Sequence, residues 1–356
     1  MKKALIILIL FAIPVISLAK TATLQYSVWV PYWKKTAAVA ETQANLSKLT
    51  AILPFSYEVN PNGTIKDTMK INVAPWVSLI KSARAKKIKI IPTIMWSDQA
   101  AIGKNLSTQK LRLAHIKRIS DLVKANNFDG IDIDYENKSA SVFHTFAAFI
   151  RDLSKELHKN KKTLSCTLEP RLPPTSRFAK VPEEIQYAND YKILNQYCDE
   201  VRLMAYDQMT ADILLNKRNK SLGLYTPVAD VNFVRKVVAY ARQQISANKI
   251  IIGVANYGYA YQVIDKGTYY DYKKLSALSY KTFTDLAVST GSTPTRNAAG
   301  ELSFSYVKEG QNRFAVISDS VAISQKIALA KQLGVKGVTL FKIDGESETT
   351  LWSVFK

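Results

Sequence analysis

Cysteine is almost missing from this sequence. Cys166 and Cys198 are the only two in 356 residues, too few for a disulfide-stapled scaffold and without the Cys-x-x-Cys spacing of a zinc or dithiol redox site. Two quiet buried thiols are the expectation, with a bridge permitted if the chain is exported. Histidine is nearly as scarce: His115, His144 and His158 all fall in helix-like stretches. Nothing beside them completes a ligand pattern, so no metal and no other cofactor is expected. No GxGxxG or GxxxxGK[ST] loop follows any apolar run, which argues against a nucleotide site. Acids are outnumbered, 29 Asp and Glu against 49 Lys and Arg, for a formal charge of +20. Such a balance favours anionic partners.

Long apolar runs are missing too, except at the amino terminus. Residues 1–19 place Lys2 and Lys3 before an apolar run from Ala4 to Leu18 that closes on the small residues Ser17 and Ala19. The run is shorter than the roughly 20 residues of a spanning helix, and the segment reads as a cleaved signal peptide, with an uncleaved anchor as the alternative. The expectation is a secreted or cell-envelope protein whose residues 20–356 form the working domain, with no stable membrane insertion.

Short β-branched runs alternate with stretches of helical period. The runs are 23–30, 50–57, 89–96, 129–136, 163–169, 200–206, 249–255 and 337–343; between them, 108–125, 142–158, 231–246 and 320–333 space apolar residues three and four apart. Eight strands with intervening helices predict an α/β fold, a closed (β/α)8 TIM barrel, which at about 250 residues or more is one domain. A doubly wound open sheet is the alternative. The rhythm breaks once, between the seventh and eighth runs. There an aromatic stretch (Tyr257, Tyr259, Tyr261, Tyr269, Tyr270 and Tyr272) precedes a helix candidate at 272–290 and two alternating runs, 302–307 and 313–317. These predict a small α+β insertion, about residues 257–318, at one wall of the barrel mouth.

The fourth run, Phe128-Asp129-Gly130-Ile131-Asp132-Ile133-Asp134-Tyr135-Glu136, carries the chemistry. Side chains alternate along a strand, so Asp132, Asp134 and Glu136 share one face and Ile131, Ile133 and Tyr135 the other. In a barrel the apolar face packs under the helices and the acids turn into the lumen. Carboxylates stacked there lose water and repel one another. A solvated edge strand is the alternative, but it would not carry isoleucines opposite the acids. Glu136 lies at the carboxyl-terminal end, where barrel sites open; repulsion from Asp134 is expected to raise its pKa and keep it protonated as a general acid.

These residues resemble the DxxDxDxE signature of the family 18 glycoside hydrolases, the chitinase-like enzymes, with Asp129, Asp132, Asp134 and Glu136 in its positions. Other segments match in order. Val201-Arg202-Leu203-Met204-Ala205-Tyr206-Asp207 resembles the family's sixth strand with its Met-x-Tyr-Asp ending, Ile251-Ile252-Gly253-Val254-Ala255-Asn256-Tyr257-Gly258 the seventh, and 337–346 the eighth.

The resemblance implies a secreted, retaining hydrolase of β-1,4-linked N-acetylglucosamine-containing glycans, chitooligosaccharide or peptidoglycan. In this family the substrate's 2-acetamido oxygen is the nucleophile, so one carboxylic acid suffices. Glu136 then protonates the leaving oxygen and activates water, while Asp134 bonds the acetamido nitrogen opposite the cationic oxazolinium. Asp132 shares a proton or hydrogen bond with Asp134 from below, and Asp129 supports the strand turn and the substrate contacts. Tyr206 donates to the acetamido oxygen. Asp207 contacts sugar hydroxyls or, alternatively, caps its own loop. Phe341 stands where the family commonly has a Trp beneath the sugar, offering a smaller apolar face or simply packing. Trp29, Phe55, Trp96, Met204 and Tyr257, with Trp33, Tyr57 and Tyr259, are further candidates for lining the cleft. A non-catalytic sugar-binding protein on the same barrel is the alternative function, and a hydrolase of N-linked glycans shares the chemistry.

The densest basic runs, 81–89 and 155–162, fall where helices end before a strand, on the barrel face opposite the site. They read either as solvated helix ends or as a docking face for an anionic cell-envelope polymer. No aromatic residues interleave with them as a stacking platform, so nucleic acid is not an expected partner.

Overall fold

The computed structural model describes residues 23–218 and 220–356; the segment read as a signal peptide lies outside them. Eight strands form the barrel: Gln25–Pro31, Ala51–Val59, Thr93–Trp96, Gly130–Tyr135, Thr163–Leu168, Glu200–Met204, Ile250–Ala255 and Gly337–Phe341. Each pairs in parallel with the next, and the first pairs with both the second and the eighth, closing the sheet. The fold is the expected (β/α)8 TIM barrel. No helix among the described residues is long and apolar enough to cross a membrane.

The helices cover the barrel with the apolar stripes that their spacing creates. Helix Phe143–Lys159 buries Phe146, Phe149, Ile150, Leu153 and Leu157, one face of a 3.6-residue period. Beneath it lies the outward face of the fourth strand: Tyr135 stacks on Phe149 at 5.7 Å, and Trp96 of the third strand meets the Tyr135 ring edge-on at 5.3 Å. His115, in helix Gln109–Ala125, hydrogen-bonds the Tyr135 hydroxyl at 2.5 Å and the Gly63 carbonyl at 3.2 Å. Burial pushes its imidazole down to about 4, so His115 is a neutral packing partner.

Between the seventh and eighth strands an antiparallel sheet runs in the spatial order Tyr270–Leu278, Gly258–Asp265, Gln311–Ile317, Leu302–Lys308, Thr295–Arg296. The helix expected over 272–290 is found only as Tyr280–Ser289, with Ser279 capping it through the Thr282 N–H. The first part of that stretch is strand instead, because residues 270–278 pair with residues 258–265 along their whole length; cross-strand bonding overrides the local helical spacing. Glu301 ties the insertion to the barrel. It is wholly buried, accepts the Val228 and Ala229 N–H groups at 2.9 Å each, and faces Lys326 of helix Ser320–Leu333 at 3.6 Å.

Cys166 and Cys198 form a disulfide, which corrects the expectation of two free thiols. Cys166 lies on the fifth strand and Cys198 just before the sixth; the register of these neighbours brings their Cα atoms to 6.2 Å, within bridging range. The two basic runs flank one turn, Asn126-Asn127. Arg84 donates to the Asn126 carbonyl at 2.7 Å and Lys162 to Asn127 Oδ1 at 3.5 Å, which gathers both on the face at the amino-terminal ends of the strands.

Candidate active site

The barrel lumen is polar, and the acid ladder stands on a buried arginine. Arg202 is wholly buried and donates to Ser165 Oγ at 2.9 Å, Ser27 Oγ at 2.8 Å and Glu200 Oε2 at 2.5 Å. Ser165 in turn donates to Asp132 Oδ1 at 2.7 Å. Asp132 also accepts from the hydroxyls of Thr93 and Thr167, each at 2.9 Å, and from Trp29 Nε1 at 3.4 Å. Strands one, three and five thus supply its donors. Its oxygens are held chiefly by flanking hydroxyls.

Asp134, one step higher, is 4% exposed, and its Oδ1 has no hydrogen-bond partner among the described residues. Burial, then the charges of Glu136, Asp132 and Glu169, push its carboxyl well above the usual range. Glu136 is raised as well, but not for the reason read from sequence. Burial acts first and the Glu169 charge second, while Lys138 and a hydrogen bond with Asp134 pull the other way. The direction suits a proton donor.

Above these acids a cleft of about 600 Å³ opens at the carboxyl-terminal ends of the strands, with Asp134, Glu136, Tyr206 and Asp207 in its lining. Trp29, Phe55, Met204, Tyr257, Tyr259 and Phe341 line it too. Phe341 stacks on Tyr206 at 5.7 Å and meets the rings of Trp29 and Tyr257 edge-on at 5.8 and 6.0 Å. The four rings make an apolar patch in the cleft wall, a surface on which the flat face of a ring can pack. Gly253 of the seventh strand makes room for it: a Cβ there would lie 2.7 Å from the Leu203 carbonyl and 3.2 Å from the Tyr206 ring. Burial holds the Tyr206 phenol well above its ordinary range, keeping it a neutral donor. Asp207 Oδ1 accepts the hydroxyls of Tyr257 and Tyr259 at 2.8 and 2.7 Å.

Asp129 and Trp96 lie elsewhere. Asp129 sits at the amino-terminal end of its strand, where its carboxylate accepts the Ile90 N–H at 2.8 Å. Trp96 is packed against Tyr135 and His115 under the helices. Both occupy outward positions in the strand alternation, which corrects their grouping with the substrate contacts. Tyr57 likewise packs outward on Phe128, and Trp33 is a 45% exposed rim residue beside Phe55.

Two residues missed in the sequence stand at the mouth. Glu169 lines the cleft and accepts the Asn137 N–H at 2.9 Å. Lys138, with a 1% exposed side chain, places its ammonium 3.9 Å from Glu169 and 4.8 Å from the Phe146 ring centroid, without a hydrogen-bond partner among the described residues. The signal for Glu169 was a second polar ladder, Ser165, Thr167 and Glu169, on one face of the fifth strand. Among the described residues no group of three or more His, Cys, Asp and Glu side chains could hold a metal ion.

Glu169 and Lys138 bias Glu136 in opposite directions, so their removal should move its titration oppositely. A neighbouring negative charge disfavours the ionised carboxylate and a positive charge favours it. Glu169→Gln should therefore shift the alkaline limb of the kcat/KM profile to lower pH, and Lys138→Met should shift it to higher pH. Shifts in one common direction would show that neither charge acts on the titrating acid.

The family model for glycosyl hydrolases family 18 matches residues 28–346. The chain is 25% identical over 318 residues to an uncharacterized glycosylase, YvbX, of Bacillus subtilis (strain 168), covering 86% of this chain and 84% of that protein. It is 24% identical over 303 residues to a cortical fragment-lytic enzyme of the same organism, covering 83% of this chain and 64% of that protein. Its backbone superposes with a TM-score of 0.75 on a chitinase from Chromobacterium violaceum, at 17% identity over 93% of this chain and 98% of that one. A family match running from the first barrel strand past the last places the chain among the glycosyl hydrolases of family 18.

Proposed function

We propose that the protein is an exported retaining glycosidase that cleaves β-1,4-linked, N-acetylglucosamine-containing glycans, with Glu136 as general acid and base. The observation that carries this reading is the placement of Glu136: a carboxyl whose pKa burial raises, at the mouth of the cleft and one step above the buried Asp134 on the same strand face. A sugar seated on Phe341 and Tyr206 has its acetamido group over Asp134 and the Tyr206 hydroxyl. The acetamido oxygen attacks the anomeric carbon as Glu136 passes its proton to the leaving oxygen; Glu136, now ionised, takes a proton from the water that opens the oxazolinium. Asp134, itself buried at the floor of the cleft, faces the developing positive charge, where a fixed carboxyl out of bulk water acts strongly.

The similarity to proteins described as a chitinase and as a cortical fragment-lytic enzyme supports glycan strands as the substrate class. The disulfide supports export, since such bonds persist in oxidising compartments. The test is incubation with chitohexaose and, separately, with peptidoglycan strands stripped of peptide, followed by mass spectrometry. New reducing-end fragments from at least one are expected. Binding of either glycan without any cleavage would overturn the reading in favour of a sugar-binding protein.

A further inference from the structure

The wall formed by Glu169 and Pro170 is shared between the catalytic cleft and a second hollow of about 440 Å³. The hollow lies between the loop after the fourth strand and the long loop after the fifth, on the same carboxyl-terminal face of the barrel. Its charged lining is Lys138, Glu169, Arg171 and Arg177.

The single carboxylate is already engaged, through the Asn137 N–H at 2.9 Å and Lys138 at 3.9 Å. Neither arginine has an ion-pair partner among the described residues. The Arg171 guanidinium lies over the rings of Tyr187 and Tyr191, at 3.7 and 4.1 Å, and makes one hydrogen bond, to the Asn189 carbonyl at 3.1 Å. A guanidinium carries five N–H donors, so the rings fix its orientation and leave most of its donors free. Arg177 is exposed, and its guanidinium makes no hydrogen bond among the described residues. The buried Lys138 ammonium, without a hydrogen-bond partner, offsets the Glu169 carboxylate and leaves the two guanidinium charges in excess.

The hollow thus presents cationic donors in excess over its one carboxylate. We propose that it is a subsite for a carboxylate borne by the glycan itself, the 3-O-lactyl group of an N-acetylmuramyl residue neighbouring the sugar in the cleft. The inference rests on the glycosidase reading and narrows its substrate to acidic, peptidoglycan-type strands. The wall shared with the cleft places the hollow beside a bound strand, and two guanidinium groups without acidic partners among the described residues match a carboxylate in charge and in donor type.

The test compares kcat/KM on peptide-stripped peptidoglycan strands and on chitohexaose, for the unaltered protein and for Arg177→Gln, a surface change that leaves the core untouched. The ratio of the two values should fall roughly tenfold in Arg177→Gln. Converting the lactyl carboxylates to neutral amides should lower it similarly for the unaltered protein and no further for the variant. A ratio unmoved by the substitution, or an effect confined to strands that still carry stem peptides, would overturn the assignment. Absence of turnover on both substrates would instead overturn the glycosidase reading and take this subsite with it, an outcome distinct from unselective cleavage of chitohexaose.

Discussion

Glu136→Gln should cut turnover of chitohexaose by about 10²- to 10⁴-fold, the range for loss of a positioned proton donor. Glutamine keeps the shape of the side chain and its contacts with a bound sugar but has no acidic proton to hand to the leaving oxygen. The loss should therefore fall on kcat, with affinity for the oligomer retained. Rates measured by reducing-end release, with binding measured by calorimetry on the same variant, separate the two effects. A variant that turns over normally would remove Glu136 from the chemistry, and one that also fails to bind would point to a folding defect.

Arg202→Met should destabilise the fold by about 3 to 5 kcal/mol near neutral pH, read as a shift of the urea midpoint. The change strips the charge that faces Glu200 and the donors that hold Ser27 and Ser165, all within the buried floor of the barrel. Glu200 keeps Lys336 at 3.1 Å, which favours the lower end of that range. The pH dependence follows from the Glu200 carboxyl. Burial alone would raise its pKa, but Arg202 and Lys336 together bring it below the ordinary value. A depressed folded-state pKa contributes stability above the unfolded value and loses it as pH falls through the folded one. The gap between the two proteins should therefore narrow on acidification, as Glu200 takes up a proton and no longer needs a cation. A gap that is constant with pH would mean that lost packing, rather than an uncompensated carboxylate, is responsible.

The alternation rule explains what could be read from sequence at the acid ladder and where the reading slipped. Asp132 and Asp134 turn inward and Ile131, Ile133 and Tyr135 outward because a strand offers only two faces. The same parity puts Asp129 outside, and the inward Thr93, bonded to Asp132, puts Trp96 outside on its own strand; grouping both with the site came from motif and strand-end position rather than geometry. The cysteines needed register. Nothing in a separation of 32 residues says that two thiols meet until the fifth and sixth strands are aligned. Lys138 and Arg171 sit on loops, where no periodicity marks direction, and their partners come from elements folded back in space. The origin of the raised Glu136 pKa was hidden for the same reason: its strongest charged neighbour, Glu169, lies just past the end of a different strand.

The central claim is that Glu136 works with the acetamido oxygen of the substrate as nucleophile. Of the other cleft carboxylates, Asp207 accepts two tyrosine hydroxyls and Glu169 accepts the Asn137 amide and faces Lys138, while Asp134 is assigned to the acetamido group. Proton NMR of chitohexaose hydrolysis, recorded before mutarotation, tests the retention of configuration that this claim requires. The account predicts that the β-anomer of the product forms first. An initial α-anomer would mean direct attack by water from the opposite face and would contradict it.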